Sequence, residues 1–515
     1  MPVTPLLEAA EAYPAMERLV LQAERSVWMA FRIFDPQTKL RSQEAEALGL
    51  ADWSDLIGQA LDRGVTFHIR LTDFDPAGGP SLHRLCWRST SQLRAIAQGR
   101  AGTMTVFPAM HPHTIGPLPS AIFWPVVRHR LSGALDVEPS HYEPPDYQVF
   151  RASGSVPLWP PHPVRPATHH EKIIVADGTS AILGGLDLNE RRFDTEDHNR
   201  PADQTWHDVS LMLAGTDVAG CIADLHKHLM MAWVSSSTID QSGEPEPLPA
   251  PNLATTQTAK NASKTSFIGT LSDLQEGTAV IAPKAVDRSI ETTTLQLIRD
   301  AQELIYIETQ FLRSRSIADA IAHALQAKPA LNLIVVLPAA PDDVAFENNS
   351  GADARHGEWL QAKCIQTIRR AAGPRALLVS PVGATAPTAQ ASNADPDRKT
   401  VQQRWPIYVH SKVMITDMRR AIVSSANLNG RSMRWDTEAG VLWEDGAAVQ
   451  AFQKRLLAKH LSGEEKLPDQ PTAIEVMHAV RQGASSDDAS LLARYPLRRA
   501  RKFAAPRFFV PDDMV

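Results

Sequence analysis

Cysteine is nearly missing from this chain of 515 residues: Cys86, Cys221 and Cys364 stand far apart, with no Cys-x-x-Cys pair. That excludes a disulfide scaffold and a cysteine-rich structural zinc site, and it is compatible with a reducing compartment. A surplus of positive charge is missing too. Lys plus Arg number 52 against 58 Asp plus Glu, for a formal net charge of −6. Nucleic-acid binding rests on an excess of Lys and Arg facing the phosphate backbone, so no nucleic-acid partner is expected, with only a local basic patch still allowed. No run of 18 apolar residues occurs, so no transmembrane helix is expected. The first residues, MPVTPLLEAAEAYPAMERL, carry Glu8 and Glu11 and no basic stretch, which argues against a cleaved secretory signal. The expected location is cytoplasmic or peripheral to a membrane, with signal-independent export left open. No His-Glu-x-x-His, EF-hand loop, P-loop or Gly-x-Gly-x-x-Gly is present, so no metal and no other cofactor is expected.

What is present reads as a soluble globular chain, 43% hydrophobic and 21% charged. Its length suits several domains or one duplicated unit. Two stretches look like the start of a repeated unit. Ala15 to Pro36 and Thr293 to Leu312 each run from helical apolar spacing into a strand (SVWMAFRIF and LIYIETQFL). A further strand follows each, from Val65 and from Leu331. Helices alternating with strands predict an α/β architecture. Three segments interrupt the pattern: a Pro/His-rich insert at about 107–166, a Ser/Thr/Pro/Ala-rich linker at 235–263, and a polar loop at 384–404. Near the C-terminus, Arg494, Arg498, Arg499, Arg501, Lys502 and Arg507 cluster without an intervening acid, beside Phe503, Phe508 and Phe509. Such a segment either packs on the surface or attaches to an anionic membrane.

The strongest signal is a long-range repeat. His170, Lys172 and Asp177 match His410, Lys412 and Asp417 at a constant offset of 240. The match continues ungapped through Gly185/Ser425, Asp187/Asn427, Asn189/Asn429 and Arg191/Arg431. Internal duplication is the economical explanation. Strand-like alternation is expected to put His and Lys of each motif on one face. An imidazole beside an ammonium suits a phosphate: the Lys neutralises nonbridging oxygens, and the His attacks phosphorus or moves a proton. A displacement needs a nucleophile and an acid for the leaving group, and two facing halves supply both.

The doublet resembles the HKD signature of the phospholipase D superfamily. The segments GGLDLNERRFDT (Gly184 to Thr195), WHDVSLML, IYIETQF and SSANLNGRSM (Ser424 to Met433) resemble further family motifs, with Thr309 for Asn and Ser424 for Gly as departures. The resemblance covers about residues 8–460. It implies two α/β/α sandwich domains related by pseudo-twofold symmetry, with the active site in the cleft between them: residues 1–234, the linker, residues 264–465, and a tail at 466–515. It implies a metal-independent, two-step mechanism with His170 as nucleophile and His410 as general acid/base. Lys172 and Lys412 would hold the phosphate, with Asp187 and Asn427 in support. Each His would need an orienting carboxylate, and Asp208 and Glu438, on the strands after the signatures, occupy the family's positions for it. Asp177 and Asp417 would be structural salt-bridge partners of the motif loops.

The resemblance further implies hydrolysis of a phosphatidylcholine-like glycerophospholipid to phosphatidic acid and headgroup, or transfer to an alcohol, at a peripheral membrane surface. Cardiolipin synthase, a nuclease and a noncatalytic lipid-binding scaffold are the alternatives. One chain completes the site, and oligomeric state is left open. Trp124, Trp159, Trp405, Trp435 and Trp443 would either cage a quaternary ammonium or simply pack. His169 is expected to point away from the chemistry, and His226 and His228, two apart on a helix, not to share a ligand face.

Overall fold

A computed structural model describes residues 2–236, 264–346, 351–383, 400–402, 404–462, 467–485, 491–506 and 512–514. The first half contains β1 (Val3–Leu7), α1 (Glu8–Gln22), β2 (Ser26–Phe31), α2 (Gln43–Ala47), α3 (Trp53–Asp62), β3 (Thr66–Thr72), α4 (Pro80–Ile96) and β4 (Met104–Ala109). It continues with α5 (Pro117–Leu135), α6 (Pro145–Ala152), β5 (Ile173–Ala176), β6 (Ser180–Gly184), β7 (Trp206–His207), β8 (Val209–Ala214) and α7 (Ala219–Ser235). The second half contains β9 (Thr265–Asp273), β10 (Lys284–Arg288), α8 (Ser289–Asp300), β11 (Leu304–Glu308), α9 (Arg315–Ala327), β12 (Asn332–Val336), β13 (Ala376–Pro381), β14 (Tyr408–Val409), β15 (Val413–Thr416), β16 (Arg420–Ser424), β17 (Glu438–Trp443) and β18 (Leu492–Arg494).

The strands form two large mixed sheets. The first runs β1-β8-β6-β5-β2-β3-β4 and the second β10-β9-β17-β16-β15-β11-β12-β13-β18. With β10 and β18 set aside, the two orders superpose strand for strand, as a duplicated unit requires. In each half three parallel strands continue into an antiparallel hairpin that carries the repeated motif. The central strands are buried along nearly their whole length and read as unbroken apolar runs. On the outer face of the first sheet, side chains of α1 and α3 pack against β2 and β3 (Met16, Leu56, Met29, Ile69). On the second, α8 and α9 pack against β11 and β12 in the same way (Leu297, Ile321, Ile305, Leu333). A third cluster joins the halves. It draws Trp28 and Leu211 from one sheet, Tyr306 and Val441 from the other, and Leu225 and Phe452 from the inner helices α7 and Gly446–Leu461. Each sheet thus lies between helical layers, and the seam itself is core. A two-stranded ribbon of β7 with β14 also crosses that seam.

Two expectations change. The tail after 466 is not apart from the second half: β18 pairs with β13 at the sheet edge, and Tyr495 and Ala500 enter that half's core. Its basic residues are partly committed as well, since Arg499 donates to the Thr400 carbonyl and Arg355 lies over the Phe503 ring. Arg507, Phe508 and Phe509 lie outside the described residues, as do nearly all of the 235–263 linker and 384–399 of the polar loop. The insert begins after β4, at 110 rather than 107, because Phe107 to Ala109 pair with β3. Among the described residues no helix is long and apolar enough to cross a membrane.

Candidate active site

Both motifs stop just short of their strands. His170 and Lys172 precede β5, and His410 and Lys412 precede β15. The expectation of His and Lys within a strand is corrected. The carbonyls of Lys172 and Lys412 still accept from Gly184 and Ser424 of the neighbouring strands, but the histidine N–H groups reach across the seam. His170 N–H donates to the Thr437 carbonyl, and His410 N–H to the His207 carbonyl, both at 2.8 Å. Each Lys turns back on its own His: Lys172 Nζ donates to the His170 carbonyl at 2.5 Å, and Lys412 Nζ does the same to that of His410.

The carboxylate pairing is crossed. His170 Nδ1 meets Glu438 Oε2 at 3.0 Å, and His410 Nδ1 meets Asp208 Oδ2 at 2.7 Å. The acid after each signature therefore serves the His of the other half. With Nδ1 engaged, each imidazole keeps Nε2 for chemistry. The duplicated positions have diverged around this pairing. Ser425 donates to Glu438 at 2.5 Å. At Gly185, a Cβ would sit 2.5 Å from Asp208 Oδ1 and 2.9 Å from the His410 carbonyl, so only glycine lets that dyad close.

The site is dry and cationic. His170 is 8% exposed and His410 1%. Burial, then Lys172 and other cations, holds His170 well below the usual imidazole range, and burial, then Lys412, does so for His410. Each motif's lysine lowers the other motif's histidine too, which puts the two signatures in one electrostatic field. Burial brings Lys172 down to about 8 and Lys412 to about 7. Burial lifts Glu438 to about 8 against the pull of Lys172, and Asp208 to about 6 against that of Lys412. Asp187 Oδ1 accepts from Ile33 N–H at 3.0 Å, and Asn427 Nδ2 donates to Gln310 at 3.2 Å. The remaining oxygen of each, Asp187 Oδ2 and Asn427 Oδ1, is buried without a hydrogen-bond partner.

Asp177 and Asp417 hold the motif loops through backbone N–H groups, in place of the expected salt bridges. Asp177 accepts the backbone N–H groups of Glu24, Arg25 and Ser26, and Asp417 those of Gln302, Glu303 and Leu304. They cap the turns into β2 and β11, the strands beside each motif. The tryptophans form no common cage: Trp443 is core, Trp159 is 69% exposed and Trp124 donates to the Leu158 carbonyl. His169 bonds Thr437 and Ser236 away from the dyads, and His226 and His228 diverge against Trp28 and Phe267.

Sequence reasoning missed Trp206, whose ring stands edge-on to His410 at 5.9 Å with the Arg192 guanidinium 3.6 Å above it. It also missed Arg32, a cation acting on His170. Trp206 lies within WHDVSLML, two residues before Asp208, which was the available signal. Behind the site, Glu8, His207, Glu308 and His460 form a buried chain. Burial alone would lower His207, but Glu308 and Glu8 carry it up to about 10. His207, Glu308 and His460 place ligand-type atoms within 4.8 Å of one another, close enough for a metal ion. Hydrogen bonds already join them: Glu308 spans His207 and His460, each at 2.8 Å.

A family model described as "Cardiolipin synthase, PLD-like domain" matches residues 294–459. Phospholipase D gamma 1 of Arabidopsis thaliana is 24% identical over 430 residues, covering 61% of this chain and 50% of that protein. Phospholipase D2 of Bos taurus is 25% identical over 388 residues, covering 58% and 40%. The alignments thus span half or less of these relatives' length. Among solved structures, phosphatidylserine synthase of Haemophilus influenzae Rd KW20 matches the fold with a TM-score of 0.53 at 12% identity, covering 94% of this chain and 93% of that one.

Proposed function

The chain belongs to the phospholipase D superfamily, and on that premise we propose that it cleaves the distal phosphodiester of a glycerophospholipid, passing the phosphatidyl group to water or an alcohol. The observation that carries this reading is the pair of crossed dyads beside two buried lysines. His170 Nε2 attacks phosphorus; the P–N bond forms as the bond to the headgroup oxygen breaks. His410 gives its Nε2 proton to that oxygen, and Asp208 stabilises the imidazolium that supplies it. Water or an alcohol then attacks phosphorus, His410 takes the nucleophile's proton, and the P–N bond breaks. Lys172 and Lys412 hold the nonbridging oxygens throughout. The resting site disfavours an imidazolium, but an arriving phosphodiester anion offsets the clustered cations and draws a proton onto His410.

Mass spectrometry of products from phosphatidylcholine vesicles, with and without a short primary alcohol, tests this. Phosphatidic acid and phosphatidyl-alcohol should form with wild type and not with His170→Asn. No product with either protein refutes hydrolysis of this lipid. The second reading, transfer to phosphatidylglycerol, is favoured by the description of the family model over 294–459, and product from phosphatidylglycerol alone would select it. Lipid binding with no turnover of any phospholipid would leave only a scaffold.

A further inference from the structure

Among the described residues, the insert carries most of the large apolar side chains left in solvent. Along α5, Leu118 is 51% exposed, Ile122 65%, Phe123 38% and Val126 60%. Beside it, Leu158 is 76% and Trp159 69% exposed. A helix apolar on all sides belongs in a core; the first three turns of α5 (117–127) are apolar nearly all round, yet only one side is covered. Trp124 and Leu131 seal that side against Tyr147 and Val156. Leu118, Ile122 and Val126 recur every four residues and form one outward stripe. The loop with Leu158 and Trp159 lies against the helix, held by Trp124 and by Arg128, which donates to the Val156 carbonyl at 3.2 Å. His129 and Arg130 are exposed next to the stripe. Scattered apolar residues need no explanation, but a regular stripe of large apolar side chains leading to Arg130, with two more exposed on the adjoining loop, does.

The patch is fixed in place. Asp146 of α6 reaches His83 Nε2 at 3.0 Å, and Tyr147 donates to the Pro76 carbonyl at 2.9 Å. The N-terminal end of α5 is sewn to the second half, with Gly116 and Leu118 N–H donating to Val280 and Thr278. It also adjoins the candidate active site: His111 bonds Ser272 at 3.0 Å and lies 5.6 Å from the ring of His169, the neighbour of His170. Leu118 is the seventh residue after His111, so the patch begins within about 25 Å of His111 along the chain.

We infer that the outward face of α5, with Leu158 and Trp159, is the surface by which this protein docks on a phospholipid bilayer. This rests on the lipid reading of the site. Aliphatic side chains enter the acyl boundary, Trp159 lies at headgroup level, and Arg130 and His129 meet lipid phosphates.

The test is flotation of the full chain with phosphatidylcholine vesicles containing phosphatidylglycerol, alongside sedimentation velocity without lipid. The variants are Ile122→Glu/Val126→Glu and, independently, Leu158→Ser/Trp159→Ser. Turnover of a short-chain phospholipid below its micellar concentration is measured in parallel. Both variants should bind vesicles at least tenfold more weakly, with soluble turnover within twofold of wild type. Vesicle binding equal to wild type in both, or no binding by wild type, overturns the proposal. So does a wild-type dimer that both variants dissociate, which would make the face a contact between copies. Vesicle binding lost on substitution, with no turnover of soluble substrate by wild type, would uphold docking and refute the catalytic reading instead.

Discussion

Replacing Glu438 by Gln changes one atom in a carboxylate that lies 268 residues from the His it touches. Glu438 Oε2 accepts from His170 Nδ1 at 3.0 Å and from Ser425 at 2.5 Å, and its side chain is fully buried. Burial lifts Glu438 to about 8, so the comparison is made above that pH, where the carboxyl is ionised: the amide then keeps the shape and loses the charge. A hydrogen bond to an ionised partner is worth about 1.5–3 kcal/mol, which is roughly 10- to 150-fold in rate. The amide N–H can also face Nδ1, forcing the imidazole proton onto Nε2, the atom that must attack. In hydrolase triads the same acid-to-amide change costs about 10⁴-fold through the wrong tautomer. Turnover should therefore fall by roughly 10²- to 10⁴-fold while the thermal transition stays close to wild type. The assay is single-turnover release of headgroup, with a denaturant quench at neutral to mildly alkaline pH to preserve the acid-labile phosphohistidine for detection. In Glu438→Gln, both the first-step rate and the phosphoenzyme should drop together. Turnover within threefold of wild type would refute the assignment of Glu438 to His170. So would a normal first step with only a slow second one.

Asp208→Asn should behave differently, because its partner His410 is the proton donor in the proposed mechanism. The loss should be at least about 10²-fold with an alkyl headgroup and should shrink to near tenfold with a nitrophenyl leaving group, which departs without a proton; equal losses with both would refute the division of roles. Affinity for a dialkyl phosphate inhibitor, whose charge is constant, should fall as pH rises from 6 to 9. Over that range Lys412 at about 7 and Lys172 at about 8 lose positive charge, while Asp208 at about 6 and Glu438 at about 8 gain negative charge; a flat inhibition constant would contradict it. Asp177→Ala should cost about 1–3 kcal/mol of stability by leaving three backbone N–H donors without their carboxylate acceptor, with turnover per folded molecule within threefold in a combined melting and kinetic measurement. A catalytic loss beyond a hundredfold would mean that Asp177 does more than cap a turn.

The duplication was legible because chemistry repeats in sequence: His170/His410 and Lys172/Lys412 keep their spacing, and the helix-to-strand starts near Met16 and Leu295 share one periodicity. The matching strand orders follow from that repeat. Which carboxylate serves which imidazole was not legible. Spacing says that Asp208 and Glu438 follow their signatures, but pairing is decided by how two sheets dock, and only buried side chains such as Trp28 and Tyr306 at the seam carry that information. The role of Asp177 was hidden for another reason. A carboxylate facing three backbone N–H groups looks in sequence just like one facing a lysine. Arg32 and Arg192 escaped because they belong to no repeat, and α5 because an insert rich in proline reads as loop until its packing is known.

The crossed dyads also bear on inheritance. Each half holds an imidazole whose carboxylate is encoded in the other, so neither half expressed alone can arm its own histidine. A chimera joining halves of two distant relatives would make both dyads hybrid at once, each histidine facing the other relative's acid. Change in one half is thereby answered in the other, and the two copies of the original duplication are no longer free to drift apart separately. During synthesis the same arrangement delays reactivity: His170 leaves the ribosome long before Glu438, and it stays without its partner until the last third of the chain has joined.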